Sequence, residues 1–236
     1  PEQADGKFDE RYSDLPMPRR SYAKMVSTTD DRMGLILKKL TDLGLRENTL
    51  VIFMSDNGHS AEDGARIRGA DHSSKLPEGT YYHAHGGGGN TGKWTGHKGT
   101  YLEGGLRVPA IISYPKVLPQ NVTRDQVITA ADWFPTILEL CEVPKPKDLV
   151  LDGKSVVGLI KDGQQATPHQ ALHWAWGDGW AIREGAWKLI GTKDQARQLV
   201  NLTDAEPERT NHLKDQAGVA ASLHKKHRAW LREVTH

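Results

Sequence analysis

The chain of 236 residues lacks several features that would assign a protein to a class at once. Its single cysteine, Cys141, excludes an internal disulfide and a zinc site built from four cysteines. No apolar run reaches the roughly 18 residues of a membrane-spanning helix, and no signal peptide is recognisable. The formal net charge of +1 gives no bulk electrostatic reason to bind nucleic acid or an anionic membrane.

What the chain does contain is an ordinary globular composition and a recognisable helix followed by a strand. Apolar residues recur at three- and four-residue spacing from Tyr22 to Leu43, which predicts an amphipathic helix, and Gly44 suits its C-terminal cap. After a short turn, the run Leu50–Met54 combines β-branched and aromatic side chains and then stops. This pattern predicts a strand buried on both faces, as in the parallel sheet of an α/β protein.

Polar residues follow this strand directly, in the order Asp56, Asn57 and Gly58. Ligands of open α/β sheets bind outside the carboxyl ends of the strands, so Asp56 and Asn57 stand where chemistry is usually done. Their carboxylate and amide oxygens suit a hard divalent cation. The same three residues are equally compatible with a plain turn, and the stretch by itself leaves both interpretations open.

The stretch 58–106 is long, rich in glycine and poor in apolar residues, which is typical of a functional or disordered segment. Its histidines could form a zinc site, but they lack the helical i, i+4 spacing and the cysteine partners, so we interpret them as polar loop residues. The run Gly86–Gly89 could cradle an anion, although it lacks the lysine ending of a phosphate loop, and we favour flexibility. The five histidines are His59, His72, His83, His85 and His97.

The second half begins with a predicted strand over Val108–Tyr114. A helix is then predicted to start near Asp132, which suits the N-cap position. We expect Cys141, at the end of that helix, to be a small buried hydrophobe rather than a reactive thiol.

From about Pro168 the sequence changes to short strand-like runs. Glu184-Gly185 is a plausible two-residue hairpin turn between two of them. Residues 204–208 form an acidic turn, and Gln216–Val234 is predicted to be a final amphipathic helix.

Several of these segments, taken in order, resemble the type I sulfatases. They are S-D-N-G at 55–58 after the strand, G-H-K-G-T-Y-L-E-G-G-L-R-V-P at 96–109, and D-W-F-P-T at 132–136. The helix before the strand and I-R-E-G-A-W-K-L-I at 182–190 fit as well. The match runs through nearly the whole chain, and several gapped motifs in order are far more specific than any one of them.

The resemblance implies an α/β fold with an alkaline-phosphatase-like sheet and flanking helices in residues 1–165, which would be the C-terminal part of a sulfatase catalytic domain. Residues 166–236 would form a small antiparallel sheet with a packed C-terminal helix. It also implies a sulfuric-ester hydrolase that acts on an aryl sulfate or a sulfated carbohydrate, in a parent protein that is periplasmic or secreted.

By this resemblance, Asp56 and Asn57 are two ligands of a calcium ion, with magnesium as the alternative, and Lys98 is the catalytic residue that contacts the sulfate. A divalent ion and a fixed ammonium stabilise the charge that builds on the leaving oxygen as the S–O bond breaks. His59 and His97 are further candidates for contact with the substrate.

The sequence also departs from the sulfatase pattern. Sulfatases carry a Cys or Ser in a Cys/Ser-x-Pro-x-Arg motif, which is oxidised to formylglycine, and no such motif occurs here. The family's paired N-terminal aspartates are missing too. Both lie upstream in the family, so we expect the nucleophile and the remaining metal ligands in a segment or chain that precedes Pro1 and completes the fold. Residues 1–236 alone are expected not to hydrolyse sulfate esters.

Two other functions remain open. A phosphoesterase of the same superfamily would tend towards a zinc pair with histidine ligands, against which Asn57 argues. A non-catalytic module that binds sulfated or other anionic glycans is the third interpretation. We expect Glu103 and Arg107 to brace the turn rather than to act on the substrate.

Overall fold

The computed structural model describes residues 5–16, 19–59, 63–66, 77–83 and 89–235, which form two compact units. Unit 1 consists of the described residues within Pro1–Arg46, Phe53–Ile111 and Thr203–Thr210. Unit 2 consists of those within Glu47–Ile52, Ile112–Leu202 and Asn211–His236. Residues 112–165, which the predicted division assigns to the first domain, therefore fall in unit 2.

The described helices and strands are distributed as follows. The helices are α1 (Arg19–Asp42), α2 (Glu103–Leu106), α3 (Trp133–Leu140), α4 (Val157–Lys161) and α5 (Ala217–Val234). The strands are β1 (Val51–Met54), β2 (Asp63–Arg66), β3 (Tyr81–His83), β4 (Ala110–Ser113), β5 (Leu172–Trp176), β6 (Gly179–Glu184), β7 (Trp187–Thr192) and β8 (Gln195–Asn201). Within the described ranges, no helix is long and apolar enough to cross a membrane.

Helix α1 ends at Asp42 and is capped by the predicted glycine. Gly44 has a φ of +69°, and its N–H donates to the Thr41 carbonyl at 2.9 Å. The Leu45 N–H reaches back to the Leu40 carbonyl at 2.8 Å. This pair of hydrogen bonds forms a Schellman motif. The motif favours glycine because the residue after the helix must take a positive φ.

Strand β1 is half-buried along its length, so the prediction of a strand buried on both faces is wrong for the described residues. Its hydrogen-bonded neighbour there is β4. The Ser55 N–H donates to the Pro109 carbonyl at 3.3 Å, and the Lys116 N–H donates to the Glu47 carbonyl at 3.3 Å. These bonds join the end of one strand to the start of the other, so the pair runs antiparallel rather than parallel.

Strands β2 and β3 form a short antiparallel pair inside the stretch that the sequence predicts to be irregular. Helix α2 lies near the end of the same stretch. His72, His85 and most of the run Gly86–Gly89 lie outside the described residues.

The sheet of unit 2 is an antiparallel meander in the order β5-β6-β7-β8, which confirms the predicted small antiparallel sheet. Glu184 pairs with Trp187, so the loop between β6 and β7 is Gly185-Ala186. The predicted turn Glu184-Gly185 is therefore wrong by one residue. Gly185 takes a φ of +57°, the left-handed conformation that two-residue hairpin loops require.

Helix α5 packs on one face of this sheet, as predicted. Ile182, Leu189 and Leu199 are fully buried on that face, against Ala220 and Leu223 of the helix. Cross-strand pairing places the three sheet residues side by side. Burial of these apolar side chains at about 25 cal/mol per Å² is the main force that holds the helix to the sheet.

The second apolar cluster of unit 2 contains residues from α3 and α4. Leu140, in the last turn of α3, is buried, whereas Cys141 is exposed. The prediction of a buried Cys141 is wrong because this residue is the C-cap of α3, beyond the helical turn that packs on the core.

Asp132 is fully buried at the start of α3. Its carboxylate accepts the N–H of Thr129 at 2.7 Å and the N–H of Lys154 at 2.8 Å. It also lies 2.8 Å from Nε2 of His169. Asp132 occupies the predicted N-cap position of α3, but its side chain makes no capping bond to that helix. Its bond to the Thr129 N–H completes a capping box at the 3-10 turn Ala130–Asp132, and its other two contacts tie Lys154 and His169 to this turn.

His227, on the buried side of α5, is part of a stack of rings. It is 1% exposed, its ring centroid lies 4.7 Å from that of Trp180, and its Nδ1 lies 3.3 Å from Nδ1 of His173. Burial, followed by the charges of His173 and His224, lowers the pKa of His227 to about 4. The folded unit therefore keeps this ring neutral.

This pKa predicts that acid destabilises unit 2. The ordinary histidine pKa of about 6.5 applies to the unfolded chain, so below that pH the unfolded state binds the proton first. We expect the His227 contribution to be complete above pH 6.5 and lost as the pH falls towards 4, by on the order of 3 kcal/mol. Urea unfolding at several pH values, followed by tryptophan fluorescence, measures it.

His227→Gln should remove this part of the pH dependence. His224→Gln, on the same helix, should keep most of it because burial is the first cause of the shift. An unchanged pH slope in His227→Gln would contradict the assignment.

Candidate functional site

A cavity of about 450 Å³ lies in unit 1, beside the end of β1. Its wall combines aromatic, amide, imidazole and guanidinium groups, and two of the predicted site residues, Asn57 and His59, belong to it. The wall includes Tyr22, Asn57, His59, Asn90, Trp94 and Arg107. Such a mixture suits a ligand that carries both a ring and polar substituents.

The turn after β1 presents two oxygen donors. Asp56 is exposed, and Asn57 is half-buried at the cavity. The Asn57 amide nitrogen donates to the Gly58 carbonyl at 2.8 Å, and the Ser55 hydroxyl donates to the Asn57 carbonyl at 3.0 Å. With its nitrogen held in this way, the Asn57 amide keeps its oxygen for another partner.

These donors fit a hard cation. A carboxylate and an amide oxygen suit calcium or magnesium, whereas zinc prefers nitrogen and sulfur. Among the residues that the structure describes, no group of three or more His, Cys, Asp and Glu could hold a metal ion. Because calcium takes about six to eight oxygens, Asp56 and Asn57 alone would supply only part of its ligands.

Lys98 lies in a loop that is tied to the Asp56–Asn57 turn. Its backbone N–H donates to the His59 carbonyl at 2.8 Å. Nδ1 of His97 lies 2.8 Å from the Lys98 carbonyl. Lys98 and His97 are both exposed and lie outside the cavity wall, whereas His59 is part of it. The structure thus brings the two predicted loops together and engages the His97 ring with its own loop.

Glycines allow this close approach of the two loops and α2. A Cβ on Gly58 would lie 2.0 Å from the Gly104 carbonyl oxygen, and one on Gly105 would lie 2.3 Å from the His97 carbonyl oxygen. The Gly58 N–H donates to the Gly105 carbonyl at 3.0 Å. Any side chain at these positions would separate the backbones, so the E-G-G sequence is a packing requirement of the site.

Glu103 and Arg107 make the contacts expected of bracing residues. Glu103 is 1% exposed, and its carboxylate accepts from Nε of Arg107 at 2.6 Å. The Arg107 guanidinium lies 3.9 Å from the centroid of the Trp94 ring. This ion pair and cation–π contact hold Trp94 and Arg107 in the cavity wall.

Glu208 is a buried residue of the site that sequence reasoning missed. It is 3% exposed, and both carboxylate oxygens accept the Glu103 N–H, at 2.8 and 3.1 Å. Its sequence signal is the acidic turn at 204–208, in which the neighbouring Glu206 is exposed. The pattern of charges in the sequence does not show which of the two glutamates, Glu206 or Glu208, is buried.

Two family models match this chain. The sulfatase model matches residues 1–143, and the model of the C-terminal region of N-sulphoglucosamine sulphohydrolase matches residues 93–233. The chain belongs to the sulfatase family. The family predicted from the motifs is thereby confirmed.

Curated relatives agree with this assignment. A sulfatase of Formosa agariphila is 29% identical over 241 residues, which cover 89% of this chain and 39% of that protein. Human steryl-sulfatase is 31% identical over 151 residues, or 64% of this chain and 23% of that protein. Mouse arylsulfatase J is 28% identical over 211 residues, or 80% and 31%. The chain of this sulfatase-family protein spans less than half the length of these relatives.

Solved structures confirm the fold class. Ps i-CgsB in complex with k-i-k-neocarrahexaose superposes with a TM-score of 0.75 at 23% identity, over 98% of this chain and 47% of that chain. BT4656 in complex with its substrate D-glucosamine-2-N,6-O-disulfate has a TM-score of 0.60 at 19% identity, over 95% and 44%. The alkaline-phosphatase-like architecture predicted for this sulfatase-family chain is therefore correct.

The glycine contacts predict a strong effect of one added methyl group. Gly105→Ala should destabilise unit 1 by about 2 kcal/mol or more, because its Cβ would overlap the carbonyl oxygens of His97 and Thr100. Gly34→Ala is the matched control, since a Cβ there meets nothing within 4 Å and alanine favours the α1 helix by up to about 1 kcal/mol. The midpoints of urea unfolding are measured for both variants and for the parent protein. Equal stability of Gly105→Ala and the parent would contradict the packing argument.

Proposed function

We propose that this chain is part of an enzyme that hydrolyses sulfate esters and that it supplies the side of the active site facing the leaving group. The observation that carries the proposal is the joining of two loops. The Lys98 N–H donates to the His59 carbonyl, which puts the Lys98 loop beside the turn of Asp56 and Asn57. The Lys98 backbone thus lies beside two residues that carry hard oxygen donors, and one of them, Asn57, lines the cavity.

The chemistry of ester cleavage explains why these groups belong together. As the S–O bond breaks, negative charge builds on the leaving oxygen, and a fixed cation stabilises that charge most in the transition state. The Lys98 ammonium is the group of this chain that supplies it. Asp56 and Asn57 would hold calcium or magnesium, which supplies Lewis-acid stabilisation of the sulfate oxygens when bound. We further propose that a formylglycine nucleophile comes from a segment upstream of residue 1.

A sulfated carbohydrate is the substrate class that we propose. The cavity wall offers the Trp94 ring and the polar groups of Asn90 and Arg107, which suit a sugar with hydroxyl and anionic substituents. Structural neighbours crystallised with a neocarrahexaose and with a glucosamine disulfate support this class. An aryl sulfate is the alternative. A periplasmic or secreted location of the parent protein stays a prediction from the resemblance.

The role of Lys98 is tested in a protein that contains this chain and the upstream segment. Lys98→Ala should lower kcat by on the order of 10²-fold or more, since the lost charge acts in the transition state. Lys98→Arg should rescue poorly because its planar group does not replace a compact ammonium. Turnover of 4-nitrophenyl sulfate and of a sulfated disaccharide is measured.

Lys39→Ala is the matched control, because Lys39 is an exposed lysine of the same unit, on α1, and lies outside the cavity wall. It should keep kcat. An unchanged kcat with a raised KM in Lys98→Ala would assign Lys98 to ground-state binding instead.

The metal proposal is tested in the same protein. Asp56→Ala should lose bound calcium and most activity, because the cation loses an anionic ligand. Metal content by mass spectrometry and turnover are measured together, with the exposed Asp42→Ala on α1 as control. Wild-type calcium content and rate in Asp56→Ala would refute the assignment.

Other outcomes of these assays identify the alternatives. Stoichiometric zinc and turnover of 4-nitrophenyl phosphate would favour the phosphoesterase. Tight binding of a sulfated glycan by the intact protein without turnover would favour the non-catalytic binding module.

A further inference from the structure

We propose that Glu208 is a positioning residue that fixes the Lys98 loop through helix α2. The inference rests on the proposed sulfatase function of Lys98. Glu208 lies in the segment 203–210, which belongs to unit 1 although it follows the last strand of unit 2 in sequence.

Glu208 holds the start of α2 through its carboxylate. Its carboxylate accepts the Glu103 N–H through both oxygens, at 2.8 and 3.1 Å, and both residues are buried. The first N–H groups of a helix have no partner within it, so a carboxylate at this place satisfies one of them. Glu208 thereby fixes the start of α2.

The backbone conformation of Glu208 also supports a positioning role. The residue has a φ of +67°, which is uncommon for a residue with a side chain. Such conformations persist where the surrounding structure determines them, and they cluster at functional sites. In Glu208 this positive φ accompanies a carboxylate that accepts the buried Glu103 N–H.

Helix α2 in turn contacts the Lys98 loop. The Gly104 N–H donates to the Thr95 carbonyl at 2.8 Å, and the Thr95 hydroxyl donates to the Pro207 carbonyl at 3.3 Å. Thr95, three residues before Lys98, is therefore held both by α2 and by the residue that precedes Glu208. The segment 203–210 contacts the loop directly and through the helix.

These contacts affect the position of Lys98. The lysine side chain is long and flexible, so the position of its ammonium depends on a fixed backbone. Small displacements of a catalytic group carry a large kinetic cost, and supporting contacts behind the group set its precision. A weakened Glu208 contact would let α2 and the loop shift together, and this shift would reduce transition-state stabilisation by Lys98.

The test is a double-mutant cycle in the protein that contains the upstream segment. Glu208→Gln keeps the size of the side chain and removes its charge and one acceptor oxygen. We expect it to lower kcat for 4-nitrophenyl sulfate by on the order of tenfold with little change in KM. In the Lys98→Ala background the same substitution should lower kcat less than about twofold, because the group it positions is already absent.

The matched control is Glu206→Gln, an exposed glutamate in the same turn, which should leave kcat unchanged. Thr95→Val is a second, milder variant that removes the hydroxyl bond to Pro207. It should lower kcat in the parent and not in Lys98→Ala, and it tests the proposal even where Glu208→Gln does not fold.

Two results would overturn the inference. One is an unchanged kcat in both folded variants, and the other is an equal loss of kcat with and without Lys98, which is the behaviour of a merely stabilising residue. Failure of the proposed function looks different, because the parent protein would then not turn over 4-nitrophenyl sulfate, or Lys98→Ala by itself would keep full activity.

Discussion

The candidate site depends on one physical constraint, the direct approach of backbone to backbone at Gly58, Gly104 and Gly105. Where a Cβ would lie 2.0 to 2.5 Å from a carbonyl, only glycine permits the contact. That contact lets the N–H of Gly58 reach the carbonyl of Gly105 and brings the turn after β1 against the Lys98 loop. The placement of Asp56, Asn57 and Lys98 in one region follows from it.

Two buried carboxylates lie near this contact, and both accept hydrogen bonds. Glu103 holds Arg107 with its side chain, and Glu208 accepts the backbone N–H of Glu103. A buried carboxylate is tolerated only with such partners, because desolvation penalises an ion without them. The result is a set of buried, hydrogen-bonded contacts behind the exposed Lys98 and Asp56, the two residues to which the proposed function assigns roles.

Unit 2 is stabilised mainly by a different interaction, the burial of apolar side chains. Its sheet and α5 are held by ordinary apolar burial around Leu189 and Leu199, and its polar interior is confined to a few residues such as Asp132 and His227. Asp132 is satisfied by several donors, whereas the neutral His227 is stacked among rings. The lowered pKa of His227 predicts a sensitivity of unit 2 to pH that its composition does not reveal.

The sequence by itself determined the elements whose cause is local or periodic. The α1 stripe and its Gly44 cap, the small sheet with α5, and the order of the sulfatase motifs could all be read from spacing and residue type, because each is encoded within a few neighbouring positions. Only the tertiary structure decided which groups meet. It set the antiparallel pairing and half-burial of β1, the exposure of Cys141, and the separation of buried Glu208 from exposed Glu206, since each depends on contacts between residues distant in sequence.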